Sequence, residues 1–167
     1  MRILFDFQPS PYHFSLDWRE RIPHGFTIRR MDTDIATRLQ TDLIAGGRGP
    51  WFDQVWGGIP EFLEKAFGFV AEWEGDGVPF LAANCRMCPM AGNRQGIKDG
   101  VAAIQVSTRA RFQGQGLATL VCTAFIEHCL ELGIMPEYSC EEENKASAAL
   151  ALKLGFVPVG KRESETT

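Results

Sequence analysis

Arg111-Phe112-Gln113-Gly114-Gln115-Gly116-Leu117-Ala118 follows a strand-like run, Val101 to Ser107, and opens a long helical pattern. Its two glycines carry no β-carbon, so backbone N–H groups can approach an anion closely. The helix behind them adds unpaired N-terminal donors and the positive end of its dipole. Residues 113 to 118 therefore read as a pyrophosphate cradle. Two other glycine-loop readings fail. A P-loop needs a Lys after its last glycine, and Leu117 stands there. A dinucleotide-binding turn needs a third glycine where this chain has Thr119. The plain structural alternative is a tight strand-to-helix turn.

Around the turn, the hydrophobic pattern sets out alternating strands and helices. Leu117, Leu120, Val121, Ala124 and Phe125 form a core stripe that stops at Gly133, a C-terminal cap. Met135 to Cys140 reads as the next strand, about Asn144 to Leu154 as a helix, and Phe156 to Gly160 as a last strand. Upstream, Phe26 and Ile28 alternate with Thr27 and Arg29 as in a half-buried strand. Asp32 or Thr33 then caps a helix carrying Ile35, Leu39 and Leu43 as far as Gly46-Gly47. After a turn-rich stretch, Pro60 begins a second helix. Phe67 to Glu74, Pro79 to Met90 and Val101 to Ser107 read as antiparallel strands parted by Gly75-Asp76-Gly77 and by the polar loop up to Gly100.

The 167 residues suit one domain, with 45% hydrophobic residues to build its core. The expected layout is an arm or added strand over 1–21, the domain over 22–160, and a frayed tail over 161–167. A net charge of −4 without a long basic block argues against nucleic acid and membrane surfaces as partners. No membrane-length apolar run or secretory signal is seen, so a cytoplasmic location is expected. Five cysteines, an odd number, point to reduced thiols rather than a disulfide framework. Cys85-Arg86-Met87-Cys88 has Cys-x-x-Cys spacing, but no second pair or neighbouring His completes four ligands, so no metal is expected. Cys122 and Cys129, one heptad apart, read as small packing residues.

The Arg-x-x-Gly-x-Gly-x-Ala spacing after a strand ending near Thr108, followed by the Asn144 to Phe156 segment with its Leu-Gly-Phe end, resembles the GCN5-related N-acetyltransferase (GNAT) superfamily. The runs Trp56 to Phe69, Thr108 to Ala118, Phe125 to Glu131 and Pro136-x-Tyr138-Ser139-Cys140 are similar to the branch that includes the zwittermicin A resistance acetyltransferases. The resemblance implies an α/β (α+β) fold: a mixed, mainly antiparallel twisted sheet flanked by helices and splayed between its fourth and fifth strands, counted from Phe26. It implies an acetyl-CoA-dependent N-acetyltransferase acting on a primary amine of a small molecule, with a non-catalytic acyl-CoA sensor as the alternative. A homodimer is compatible with it.

By the same resemblance, the pantetheine arm enters the splay beside Val106 and Thr108. Gln113, Gly114, Gln115, Gly116, Leu117 and Ala118 hold the pyrophosphate, with Arg111 either as added charge or as a surface residue, and Asn144 and Ser147 meet the arm. The Val106 N–H is the expected donor to the developing oxyanion. Many members carry a carboxylate before the splay and a Tyr on the Asn-led helix. Here Ala103, Gln105 and Ala151 stand near those places. Tyr138 and Cys140, on one face by strand alternation, are the expected catalytic side chains. Glu141, Glu142 and Glu143 are alternatives, although negative charge at a helix start explains them as well. His128 reads as a partly buried packing histidine. Trp51, Phe52 and Trp56 read as core packing or as a wall of the acceptor pocket.

Overall fold

The computed structural model describes residues 1–8, 17–89 and 100–164. Its elements are β1 (Arg2–Phe7), a 3-10 turn (Trp18–Arg21), β2 (Phe26–Arg30), α1 (Thr33–Ala45), α2 (Trp51–Trp56), α3 (Ile59–Lys65), β3 (Gly68–Trp73), β4 (Phe80–Cys88), β5 (Val101–Thr108), a 3-10 turn (Ala110–Phe112), α4 (Leu117–Glu131), β6 (Met135–Glu141), α5 (Lys145–Lys153) and β7 (Phe156–Arg162). One sheet joins all the strands in the order β2-β3-β4-β5-β6-β1-β7. Every neighbouring pair is antiparallel except β5 and β6. This is the mixed, mainly antiparallel α/β architecture expected.

Local chemistry accounts for the helices. Asp32 caps α1, its Oδ1 accepting the Ile35 N–H at 2.9 Å, and Ile35, Ala36, Leu39 and Leu43 form the buried stripe. Asn144 caps α5 in the same way, accepting the Ser147 N–H at 3.1 Å. α4 buries residues around most of its circumference, from Leu117 to Cys129. Such a helix belongs in the core, and it lies across β3, β4 and β5. Alternation along β4 shows that the sheet is covered on both faces. Cys85 meets Cys122 of α4, whereas Arg86 stacks on Trp51 of α2. The two thiols of the Cys-x-x-Cys spacing therefore sit on strand positions of opposite face.

Two segments differ from the sequence expectation. The turn-rich stretch before Pro60 contains α2, too short to be stable by propensity alone. It forms because Phe52 and Trp56 bury against Phe62, with ring centroids 4.8 and 5.8 Å apart. The tail expected to fray from residue 161 is ordered further, because Lys161 and Arg162 pair with Ile3 and Arg2 in the last strand ladder. Ser164 extends this by donating to Glu141 at 2.6 Å.

Of the two readings of the N-terminus, the strand is found, and it lies inside the sheet. β1 separates β6 from β7 and pairs with both along its length. Phe5 and Phe7 anchor it. Phe5 meets Tyr138 edge-on at 5.8 Å, and Phe7 meets Phe156 at 5.1 Å. The 3-10 turn then ties the segment to α4, since Trp18 Nε1 donates to Glu127 at 3.0 Å and Arg19 pairs with the same carboxylate at 2.6 Å. Phe5→Ala should cost about 3–5 kcal/mol, the usual loss for a buried Phe truncated to Ala. Urea unfolding checks this as a lower midpoint at unchanged slope.

Candidate active site

The parallel ladder between β5 and β6 has rungs at Val101–Met135, Ala102–Pro136 and Ala103–Glu137, and it ends there. On the other side of β5, the ladder to β4 continues to Thr108. The Arg109 N–H reaches the Ala82 carbonyl at 2.9 Å, and the two residues share the β4–β5 register. Amides alternate in direction along a strand, so Gln105 and Ser107 also address β4. Val106 and Thr108 address the β6 side, past the last rung. This is the expected splay, between β5 and β6 when β1 is counted.

A cleft of about 550 Å³ opens in the splay, lined by Gln105, Val106, Glu137, Tyr138, Cys140, Asn144 and Ser147 among others. A second cleft of about 440 Å³ shares Val106, Asn144 and Ser147 with it and extends to Thr108, Gln113, Gly114, Gly116, Leu117 and Ala118. The sequence-predicted cradle and the splay are thus one continuous trough. Gly114 and Gly116 have φ of 81° and 79°, the left-handed region that disfavours side chains. A β-carbon on either would meet no atom of the chain within 4 Å, so the space in front of the turn is open. Backbone bonding pauses between the Gln113 N–H, on Ala110, and the Leu120 N–H, on Gly116, and no side chain caps α4. Open space, left-handed glycines and uncapped amides fit a diphosphate.

Two predicted cradle residues stand apart. Arg111 and Gln115 do not line the trough. Arg111 is 2.6 Å from Asp76, in an exposed pair. Sequence spacing places it beside the turn, and the acid of the β3–β4 connection turns it outward.

Tyr138 and Cys140 do share a face and both line the cleft. The Tyr138 hydroxyl lies 2.7 Å from Ser147 Oγ and donates toward the Ser147 carbonyl at 3.1 Å. A strand thereby carries a phenol to the helix where Ala151 supplies none. Burial pushes that phenol well above the ordinary tyrosine value, with the Ser147 bond pulling the other way, so it keeps its proton. The acidic run has a different role from the one sequence suggested. Glu141 is held by Ser164 and Arg2, and Glu142 by Lys161, which lowers both carboxyls. They tie β6 to β1 and β7, and Glu141 also rims the cleft. His128 packs edge-on against Phe67 at 4.5 Å, its pKa lowered chiefly by burial, and does not line the trough.

The sheet face away from α4 carries groups that the sequence reading passed over. Glu137 shares the last rung with Ala103 and faces into the cleft. Burial raises its carboxyl above the ordinary value, Arg162 opposes the shift and Asp6 adds to it. Arg86 is 1% exposed beneath Trp51, 4.4 Å from its ring, and burial lowers its guanidinium to about 10. Arg86 donates to Asn84 Oδ1, and Asn84 Nδ2 donates to Ser107 Oγ at 3.0 Å. Alternation was the available signal. Asn84, Arg86 and Cys88 interrupt β4 at every second position with groups that an all-apolar buried strand would lack. Trp51 stacks on Arg86 of this row and packs against the core that holds Phe52 and Trp56, so the cluster takes the packing reading, and none of the three lines the trough.

This geometry agrees with the comparisons. A GNAT acetyltransferase family model matches residues 6–162, and the chain belongs to that family. It is 30% identical over 158 residues to the uncharacterized N-acetyltransferase YdfB of Bacillus subtilis, covering 95% of this chain and 53% of that protein. It thus spans about half the length of the curated relative. In structure it resembles a GCN5-related N-acetyltransferase-like protein of Streptococcus suis, with a TM-score of 0.67 at 20% identity over 96% of this chain and 59% of the other. It also resembles yncA of Salmonella typhimurium, solved with its cofactor acetyl-CoA, with a TM-score of 0.55 at 17% identity over 80% of each chain.

The buried phenol gives a pH test. In the difference between wild type and Tyr138→Phe, phenolate absorbance should emerge only above the pH at which free tyrosine ionises, near ~10. Ser147→Ala should move it higher still, because the bond to Ser147 favours the ionised form.

Proposed function

We propose that this chain transfers an acetyl group from acetyl-CoA to a primary amine of a small molecule. The observation that carries the reading is the junction of two features in one trough. One is a splay whose Val106 and Thr108 amides have lost their strand partner, and the other is an open left-handed glycine turn at the start of α4. The first suits the amide-rich pantetheine arm, because a strand edge offers it a ladder. The second suits a diphosphate. Acetyl-CoA supplies the activated acetyl thioester.

The residues of the chain then take these parts. Gly114, Gly116, Leu117 and Ala118 hold the diphosphate through backbone donors, and Gln113, its N–H on Ala110, borders it. Arg111 contributes charge only on exchanging Asp76 for a phosphate, and Gln115, outside the trough, is left out of the cradle. Asn144 and Ser147 border the arm. The Val106 N–H is aimed where a carbonyl oxygen gains charge, and a donor of that kind is worth about 10²–10³-fold in rate. Tyr138, protonated and fixed by Ser147, gives a proton to the departing sulfur, and Cys140 packs beside it. A non-catalytic acyl-CoA sensor is the second reading, favoured by Ala103 on the last rung and by Ala151 on α5.

Calorimetry and thiol release test the assignment together. Gly114→Ala and Gly116→Ala should weaken acetyl-CoA binding about tenfold or more, because a left-handed L-residue costs roughly 1–2 kcal/mol and its methyl group occupies the space in front of the turn. Tyr138→Phe should bind acetyl-CoA normally and lose about 10²-fold in turnover. Failure of the wild type to bind any CoA thioester refutes both readings. Binding without amine-dependent thiol release supports the sensor.

A further inference from the structure

We propose that Glu137 receives the acceptor amine and takes its proton, so that the acceptor enters on the sheet face opposite α4 and α5. The inference rests on the transferase reading and adds to it the missing base. An alkylammonium is almost wholly protonated at neutral pH and cannot attack a thioester until it loses a proton. The two carboxylates among the described residues that line the splay cleft are Glu137 and Glu141. Glu141 is occupied by Arg2 at 3.0 Å and by Ser164 at 2.6 Å. Glu137 sits at the point where the two strands part, opposite Ala103, and its side chain makes no hydrogen bond or ion pair among the described residues.

Strand alternation puts Glu137 on the face of Gln105 and away from Tyr138. A base and an acid on opposite faces of one gap is the arrangement that transfer needs. The amine is deprotonated on one side of the thioester carbon, and the sulfur is protonated on the other. The charged groups around Glu137 are Asp6 of β1, its direct register partner, Arg162 of β7, Arg2 of β1, and Glu141 on its own strand; β5 and β4 contribute the uncharged Ala103 and Gln105, and Cys88. Burial and Asp6 raise the affinity of Glu137 for a proton, and Arg162 holds that rise in check. A carboxylate so placed is a stronger base than an exposed one.

The step balances. One ammonium proton passes to Glu137 and from there to water. The nitrogen lone pair forms the C–N bond as the C–S bond breaks, Tyr138 gives its proton to the sulfur, and the second proton lost by nitrogen restores the Tyr138 hydroxyl. Amide, free thiol and one released proton result.

Two measurements test the proposal. The first titrates protein labelled with ¹³C at its glutamate carboxyls, free of ligand, with the Glu137 resonance assigned by its loss in Glu137→Gln. Its midpoint should lie above the ordinary glutamate value near ~4.3. The second follows thiol release with n-butylamine, tyramine and glucosamine. Glu137→Gln should lose about 10²-fold or more in kcat/KM, keep its acetyl-CoA affinity, and lose the acid limb that wild type shows at the NMR midpoint. A midpoint in the ordinary range overturns the proposal. Equal rates in wild type and variant overturn the role of Glu137 alone. A wild type that binds acetyl-CoA and acetylates none of the three amines overturns the transferase reading and this proposal with it.

Discussion

The end of hydrogen bonding between β5 and β6 after Ala103 governs the rest of the molecule. Two parallel strands of this length would ordinarily continue to pair, because each amide left unpaired in a buried site costs roughly 1–3 kcal/mol. Here β6 is held from its other side. β1 pairs with it from Asp6–Glu137 to Arg2–Glu141, while β5 is held by β4 as far as Thr108. Each strand of the gap therefore has a full partner on its outer edge, and the inner edges can stay apart. Tyr138 and Ser147 close the floor, where a hydroxyl pair joins β6 to α5.

This explains why the N-terminal strand matters to the site, beyond the lining that Arg2 gives the cleft. Without β1, the far edge of β6 would be open, and β7 would be the neighbour available to it. With β1 between them, β6 is fixed at both ends. Arg2 reaches Ser139 and Glu141 at one end, and Phe5 backs the Tyr138 ring toward the other. The acid run at the end of β6 belongs to this frame, since its carboxylates meet cations of β1 and β7.

Charge is arranged by face rather than by total. A chain of net charge −4 gives no hint of a buried guanidinium, yet Arg86 lies under Trp51 on the sheet face that Glu137 shares. The opposite face, under α4, is apolar and carries the thiols of Cys85, Cys122 and Cys129. The trough passes from one environment to the other through the splay. The Tyr138 phenol, which keeps its proton, stands on one side of the splay and the Glu137 carboxyl on the other.

Local signals determined much of this in the sequence alone. The glycine turn, the Asp32 and Asn144 caps, the α4 stripe and the order of strands and helices each depend on residues a few positions apart, whose preferences act without the rest of the chain. Tertiary structure decided what depends on distant partners. Whether Arg2–Phe7 is an arm or a strand depends on two edges that residues 135–141 and 156–162 supply. Whether Arg111 faces a phosphate or Asp76 depends on the β3–β4 turn. Glu137 was passed over beside its neighbour Tyr138 because alternation gives a residue its face, but not what that face meets. Only the pairing of β6 with β1 and its parting from β5 turned that face into the wall of a cleft.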